Sequence, residues 1–473
     1  MKHLNRSLQV AGSLLELPRM QKTLFHANGV NGASGFRDSA FARNKELPLH
    51  RWVPWIAGFS AEFVTDCLAK YLPQKRKGDA WVLDPFAGVG TTLVEAYLHG
   101  HNVMGFEINP YAALAARVKL EVVQLSPGRL ARQTASFQRF MQARVERNGK
   151  SSLRTPHSTP PSGFTGRTQF FSPKVERQVL FTLDFINGIS DDLERDLFRL
   201  ALGSTMVSFS NYTYEPSLTR RVAVDKKQID DADVCGVVSS KLEKMLADIE
   251  WLQAQVANSP RKQKARVIHD SILFGSADAK EFVDLVVTSP PYLNNYHYPR
   301  NTRPQIHWLG FASGTGYSGA REMQSFGKFW QTVRDQPAVG LNFDMPALER
   351  LVRKLRLLNA EKGVYGGRGW ANYAATYFND THRFCHRLYE LLRPGAAAMI
   401  VLGNSVIQGV EIKTDHFFGK IGELAGLLFE DSILLRTKRT GSSIIQSSVR
   451  VDKASSKTVL YEKGIVLRKR AGN

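Results

Sequence analysis

Two stretches of the chain set chemistry-bearing residues at the ends of apolar runs. One is Asp84-Pro85-Phe86-Ala87-Gly88-Val89-Gly90-Thr91-Thr92, the other Thr288-Ser289-Pro290-Pro291-Tyr292. Trp81-Val82-Leu83 stops at Asp84, and the largely apolar run from Phe282 to Val287 stops at Thr288. Short apolar runs bounded by turn residues read as buried strands. Gly88 and Gly90 let the backbone come close to a ligand. Pro290 and Pro291 lack the N–H that a central strand needs, so the second segment leaves its strand as a stiff loop. In open α/β sheets, ligands bind beyond the carboxyl ends of the strands. Ser289, an acceptor, and Tyr292, an aromatic face, would then stand at the mouth of a site. Taken alone, Ser-Pro-Pro-Tyr reads equally well as a plain turn.

The elements around these stretches have α/β order. Thr91 onward reads as a helix, Val103 to Glu107 as a second strand ending in an acid, and Tyr111 to Leu120 as the next helix. An acid about 20 residues beyond a glycine turn suits a nucleoside, whose ribose hydroxyls it accepts. The third glycine of a dinucleotide fingerprint is missing, so the turn looks less like a pyrophosphate cradle. Arg266 to Asp270 is a further strand ending in an acid. Downstream, Tyr377–Leu392 and Phe417–Leu427 read as helices, and Ala397–Leu402 and Ser432–Arg436 as strands. Thr458–Tyr461 and Ile465–Leu467 are two closing strands. Upstream, Ser60 is the expected N-cap of a helix carrying Phe63, Val64, Cys67 and Leu68 on one face.

Composition bounds the rest. The 473 residues carry 63 Lys and Arg against 43 Asp and Glu, a net charge of +20, with 43% hydrophobic residues. The isoelectric point is near 9.8. Such an excess points to a polyanionic partner. Three cysteines, Cys67, Cys235 and Cys385, with no CxxC pattern, fit a reducing compartment and argue against a zinc or disulfide framework. Neither a signal peptide nor a transmembrane run is expected. Residues 1–45 read as an arm. Residues 46–120 and 266–473 read as a split core, and 121–265 as a helical insertion. Within the insertion, Arg220, Arg221, Lys226 and Lys227 form a basic cluster. An amphipathic helix over 238–256 places Leu242, Met245, Ile249 and Leu252 on one face. Residues 300–370, with the basic helix Leu348–Leu358, are a second insertion.

Read together, the two motifs resemble those of the amino-methylating DNA methyltransferases, the Thr-Ser-Pro-Pro-Tyr type. These enzymes use S-adenosylmethionine to methylate exocyclic amines of cytosine or adenine. The resemblance covers about 50–120, 265–300 and 375–435. It implies a Rossmann-like class I methyltransferase sheet with a largely helical insertion. It also implies that Asp84, Phe86, Gly88, Gly90 and Thr91 lie at the methionine end of the cofactor, with Glu107 on the ribose. Asp270 would be near the adenine amine, with Asp278 as rival. Phe59 and Ser60 resemble the stretch that closes over the methionine end, and Asn404 a polar position near the target base. Ser289, Pro290, Pro291 and Tyr292 would form the catalytic segment. The amine's lone pair is conjugated with its ring, so acceptors must help the nitrogen pyramidalise beside the methyl donor. The base must also leave the duplex, and Tyr292 offers it a face.

Serine at position 289 favours cytosine N4 over adenine N6 in this family, and the adenine reading stays open. No cysteine follows a proline, which sets C5-cytosine chemistry aside. The cofactor motif precedes the catalytic one, whereas many relatives with this catalytic segment run the other way. Double-stranded DNA is the expected partner, the basic cluster of 121–265 its first candidate contact and Arg350, Arg353, Lys354 and Arg356 the second. A separate restriction endonuclease acting on the same sequence, and a cytoplasmic location without membrane contact, are further expectations. No metal site is expected. An RNA base methyltransferase and a non-catalytic nucleic-acid-binding protein with a methyltransferase-like core remain alternatives.

Overall fold

In the computed structural model the residues described are 35–55, 58–72, 79–144, 155–164, 168–215, 217–257, 263–275, 280–294, 298–312, 317–438 and 459–471. Most of the expected arm, and Asp278, lie outside them. Seven strands make one sheet: β1 (Trp81–Asp84), β2 (Asn102–Phe106), β3 (Ala265–Ile268), β4 (Val283–Thr288), β5 (Leu392–Gly403), β6 (Leu427–Lys438) and β7 (Leu460–Lys469). Their order is β6-β7-β5-β4-β1-β2-β3. Neighbours from β5 to β3 pair in parallel, and β7 runs antiparallel to both β5 and β6. The strand order turns back on itself between β1 and β4, the position where open α/β sheets hold their ligands. With helices on both faces this is an α/β, Rossmann-like sheet, the class expected. One expectation is corrected. The closing segment is a single strand, β7, because Gly464 in its middle lets the backbone pass the Met399 sulfur without a break.

Alternation along the strands divides the core in two. Val82, Leu285, Val287, Ala397 and Met399 face one side; Leu83, Val286, Ala398 and Ile400 face the other. The first side is covered by α1 (Ala61–Tyr71), α2 (Thr91–Leu98) and α3 (Pro110–Glu121), and beyond them by α4 (Pro127–Gln142), α5 (Pro173–Asn187), α6 (Asp192–Thr205) and α7 (Val234–Val256). The 121–265 segment is therefore largely helical, as its periodicity predicts. The break at Asn211–Pro216 includes the first strand of a short hairpin, Tyr212–Tyr214 with Leu218–Arg220. Next come α8 (Tyr298–Trp308), α9 (Tyr317–Gln324), α10 (Trp330–Val333) and α11 (Pro346–Leu357). The second side carries α12 (Gly367–Leu391) and α13 (Thr414–Leu424), with α10 and α11 packed outside α12. Among the described residues no helix is long and apolar enough to cross a membrane.

Candidate active site

The two motif segments leave neighbouring strands. Val82 pairs with Leu285 and Leu83 with Val286, so Asp84 ends β1 beside the end of β4. Side chains then lock the ends together. Thr288 Oγ1 donates to Asp84 Oδ1 at 2.6 Å, the Phe86 N–H donates to the same oxygen at 3.0 Å, and Thr92 Oγ1 donates to the Val287 carbonyl at 3.1 Å. Asp84 is 2% exposed. Burial pushes its carboxyl up to about 6, against the hydrogen bonds from Thr288, Thr92 and Phe86. Its side chain thus joins the two segments. The Phe86 ring packs on Phe326 and Phe384, with centroids 5.2 Å away in each case.

The glycine turn is held against β2, where the Ala87 N–H donates to the Phe106 carbonyl. Gly88 and Gly90 have φ of 52° and 85°, a region that glycine enters without strain. A Cβ at Gly90 would lie 3.0 Å from the Ala116 Cβ, and one at Gly88 3.2 Å from the Trp55 Nε1. Thr91 opens α2 and is nearly buried. From below, fully buried Lys119 donates Nζ to the Val89 carbonyl at 2.8 Å, and burial pushes its ammonium down to about 7. Glu107 follows β2 directly. Its two oxygens accept from the Gly88 N–H (2.8 Å) and the Asn109 N–H (2.7 Å). Burial pushes it up to about 7 despite those donors, with a smaller push from Asp84. Asp270 lies just beyond β3, its carboxylate taking the Ser271 N–H. Arg321, which sequence reading missed, reaches both the Ile108 carbonyl and His269 Nε2.

In the Ser289–Tyr292 segment Pro290 is buried, and Ser289, Pro291 and Tyr292 are half-buried. Ser289 Oγ stands 3.5 Å from Tyr292 Oη, a long contact. The Cδ2 and Cε2 atoms of the Tyr292 ring lie against Gly403 at the end of β5, where a Cβ would come within 3.3 Å of each. Asn404, next in line, spends its side chain locally: it accepts from the Tyr461 N–H and donates to Glu411 and the Val459 carbonyl. Ser60 is fully buried as the N-cap of α1, accepting from the Phe63 N–H and donating to the Asp38 carbonyl. Phe59 packs on Phe63. Both side chains tie the 38–60 segment to α1.

The basic cluster lies close to this edge. Its hairpin is fastened to α8 by Tyr214 Oη donating to the Asn301 carbonyl and the Leu218 N–H donating to Asn301 Oδ1. Asn109 Nδ2 in turn donates to Thr302 Oγ1 on α8 at 2.7 Å. Arg221 Nε donates to the Lys227 carbonyl, Lys226 pairs with Glu215, and Lys226 and Lys227 are exposed; Arg220 ends the hairpin. On α11, Arg350, Arg353 and Lys354 are exposed, while Arg356 turns inward to the Val339 carbonyl. Among the described residues no group of three His, Cys, Asp or Glu side chains could hold a metal ion. Cys67 and Cys385 are buried, and burial pushes both thiols well up, away from the thiolate form.

A family profile described as DNA methylase, of the N6/N4 type, matches residues 38–117, the span containing the glycine turn and Glu107. Type II methyltransferase M.BsoBI of Geobacillus stearothermophilus is 24% identical over 446 residues, 85% of this chain and 83% of its own. Type II methyltransferase M.AvaI of Nostoc sp. is 23% identical over 439 residues, 85% and 84% of the two chains. Among solved structures, the rRNA methyltransferase aviRa from Streptomyces viridochromogenes aligns over 91% of this chain and 96% of its own, at 10% identity and a TM-score of 0.28. The relatives share most of the chain's length. The profile and these relatives make the chain similar to the amino-methylating DNA methyltransferases, a family that takes its methyl group from S-adenosylmethionine.

Proposed function

We propose that this chain methylates the N4 amine of a cytosine flipped out of double-stranded DNA. The observation that carries the reading is the junction of β1 and β4, where the Ser289–Tyr292 segment stands beside the glycine turn. Gly88, Gly90 and Thr91 would border the methionine end of the cofactor, Glu107 would accept from the ribose hydroxyls, and Asp270 would meet the adenine amine. Asp84 and Phe86, buried or packed as they are, would hold the turn, and Phe59 and Ser60 would support its approach from α1. When bound, S-adenosylmethionine supplies an electrophilic methyl group on a sulfonium sulfur.

Ser289 Oγ and a carbonyl of the stiff Ser289–Pro290 segment would accept the two amine N–H bonds. That draws the nitrogen lone pair out of conjugation and aims it at the methyl group. The hydroxyl of Ser289 is neutral and suits cytosine's amine, and Pro290 restricts the backbone that carries it. The Tyr292 ring, supported on Gly403, would stack the extruded base. No covalent enzyme adduct is needed. Arg220, Arg221, Lys226 and Lys227, braced on α8, would neutralise DNA phosphates, with the exposed basic residues of α11 as a second contact. A separate endonuclease reading the same sequence would be the natural counterpart of such an activity.

Incubation of the protein with methyl-labelled S-adenosylmethionine and, in parallel, genomic DNA or total RNA, followed by nucleoside mass spectrometry, tests the reading. Labelled N4-methylcytosine is expected. N6-methyladenine would overturn the choice of base, and label in RNA alone would overturn the choice of nucleic acid.

A further inference from the structure

Asp248 sits on the apolar stripe of α7, between Met245 and Leu252, and is 1% exposed. A carboxylate there is costly unless its oxygens are satisfied. All its partners come from one short stretch nearly two hundred residues earlier. Oδ2 accepts from the Leu49 N–H at 2.9 Å, Trp52 Nε1 at 2.8 Å and Arg51 Nε at 3.1 Å, and Oδ1 pairs with the Arg51 guanidinium. Lys241, two turns earlier on α7, adds its Nζ to the Arg51 carbonyl at 3.1 Å. On the opposite side His50 Nε2 meets Glu95 of α2 at 2.8 Å.

The stretch so clamped is strained. Leu49 has φ 63° and ψ −46°, and the His50 N–H donates to the Pro48 carbonyl at 2.7 Å. That is a γ-turn of the rare positive-φ kind. A leucine stays in that conformation only where its surroundings over-determine it, and such residues gather at functional sites. After buried Trp52 the chain runs through Val53 and Pro54 to Trp55, whose indole lies against Gly88. Gly88 is also the residue whose N–H is held by Glu107.

We infer that Asp248 is a positioning residue for cofactor binding: from α7 it fixes the Pro48–Trp52 turn that seats Trp55 on the glycine turn. Trp55 is then a wall of the cofactor pocket that the 121–265 segment holds in place. The inference rests on the glycine turn being the S-adenosylmethionine site.

A double-mutant cycle tests it, with S-adenosylmethionine affinity measured by calorimetry on the full chain and methyl transfer to DNA measured at saturating cofactor. Asp248→Asn and Trp55→Ala should each raise Kd about tenfold. Turnover of Asp248→Asn at saturation should stay within about twofold of the parent, because uniform binding loss leaves the chemical step alone. The double variant should bind no more weakly than the weaker single one, since coupled residues do not add. A multiplicative loss, about a hundredfold, would overturn the inference. So would Asp248→Asn that lowers turnover and leaves Kd unchanged. If Asp248→Asn does not fold by circular dichroism, Lys241→Met, which removes only the clasp on Arg51, enters the same cycle with the same two outcomes. A parent protein that binds no S-adenosylmethionine would refute the assignment of the pocket itself.

Discussion

Affinity for S-adenosylmethionine should climb with pH through neutrality, and Glu107 is the reason. Burial raises its carboxyl from the ordinary 4.5 to about 7, outweighing the Asn109 and Gly88 N–H donors, and the Asp84 carboxylate adds a smaller push. In its proposed role, accepting from two ribose hydroxyls, the group must be ionised. A carboxyl with that value is about one-tenth ionised at pH 6 and about nine-tenths at pH 8. Apparent affinity scales with the competent fraction, so Kd at pH 6 should lie about tenfold above its plateau at high pH, about 1.4 kcal/mol. Calorimetric titrations from pH 5.5 to 8.5, in buffers of different ionisation enthalpy, would give both the slope and the proton released. Glu107→Gln should bind weakly at every pH with the slope gone. A parent Kd that is flat between pH 6 and 8, or a slope that survives in Glu107→Gln, would refute the reasoning. Stability of the free protein responds with the opposite sign. A carboxyl whose folded value is raised contributes stability below its unfolded value, and that contribution is lost as pH rises through the folded one. Between about pH 4.5 and 7 the free protein should therefore lose stability as cofactor affinity grows.

Ser289→Ala should lower methyl transfer by roughly 10²–10³-fold, the scale of one lost transition-state contact, with S-adenosylmethionine affinity unchanged by calorimetry. Asp84→Asn should raise the melting temperature at pH 7.5. An amide oxygen can keep the Phe86 and Thr288 hydrogen bonds while the buried charge is gone, and a shift from 3.8 to about 6 corresponds to about 3 kcal/mol. Scanning calorimetry showing an unchanged or lower melting temperature would count against that account. In DNA-binding titrations against salt, Lys227→Ala should reduce the slope of log K by about 0.9. Lys226→Ala should reduce it less, because Lys226 already pairs with Glu215.

Much of the sheet was legible because strands β1, β2 and β4 announce themselves locally. Each is an apolar run stopped by a turn residue or an acid, and that pattern survives without knowledge of neighbours. The adjacency of Asp84 and Thr288 was legible too, through two motifs that make sense only side by side. Other parts depend on partners that no local pattern names. Ser60 is the helix cap that its local pattern predicts, whereas Asn404 carries a polar side chain near the right strand that the structure uses for a strand junction. Trp55 belongs to no motif of the sequence, and Arg321 is one more basic residue among many. Asp248 had a usable signal, a carboxylate on the apolar face of α7 that must have a partner.

The boundaries drawn at 121 and 265 separate a core from an insertion by composition, but apolar packing does not respect them. Leu130, Phe137, Val175, Leu197, Leu242 and Met245 of that segment belong to one continuous core with Leu93, Tyr111, Ala115 and Val118 of α2 and α3. The Pro48–Trp52 turn is held from α7 by Asp248 and Lys241. A segment that shares its core and supplies clasps for the Pro48–Trp52 turn is not a cassette. Exchanging 121–265 alone for the corresponding segment of a distant relative should therefore fail twice. The buried volumes on α2 and α3 would be mismatched, where large-to-small changes cost about 2–5 kcal/mol each, and the 48–52 turn would lose its clasp. Exchanging 46–60 together with 121–265 should recover cofactor affinity relative to the single exchange, because the strained turn and its carboxylate then come from the same chain. Equal calorimetric affinity for S-adenosylmethionine in the two chimeras would show that the segment is modular after all, and that the glycine turn holds its shape without it.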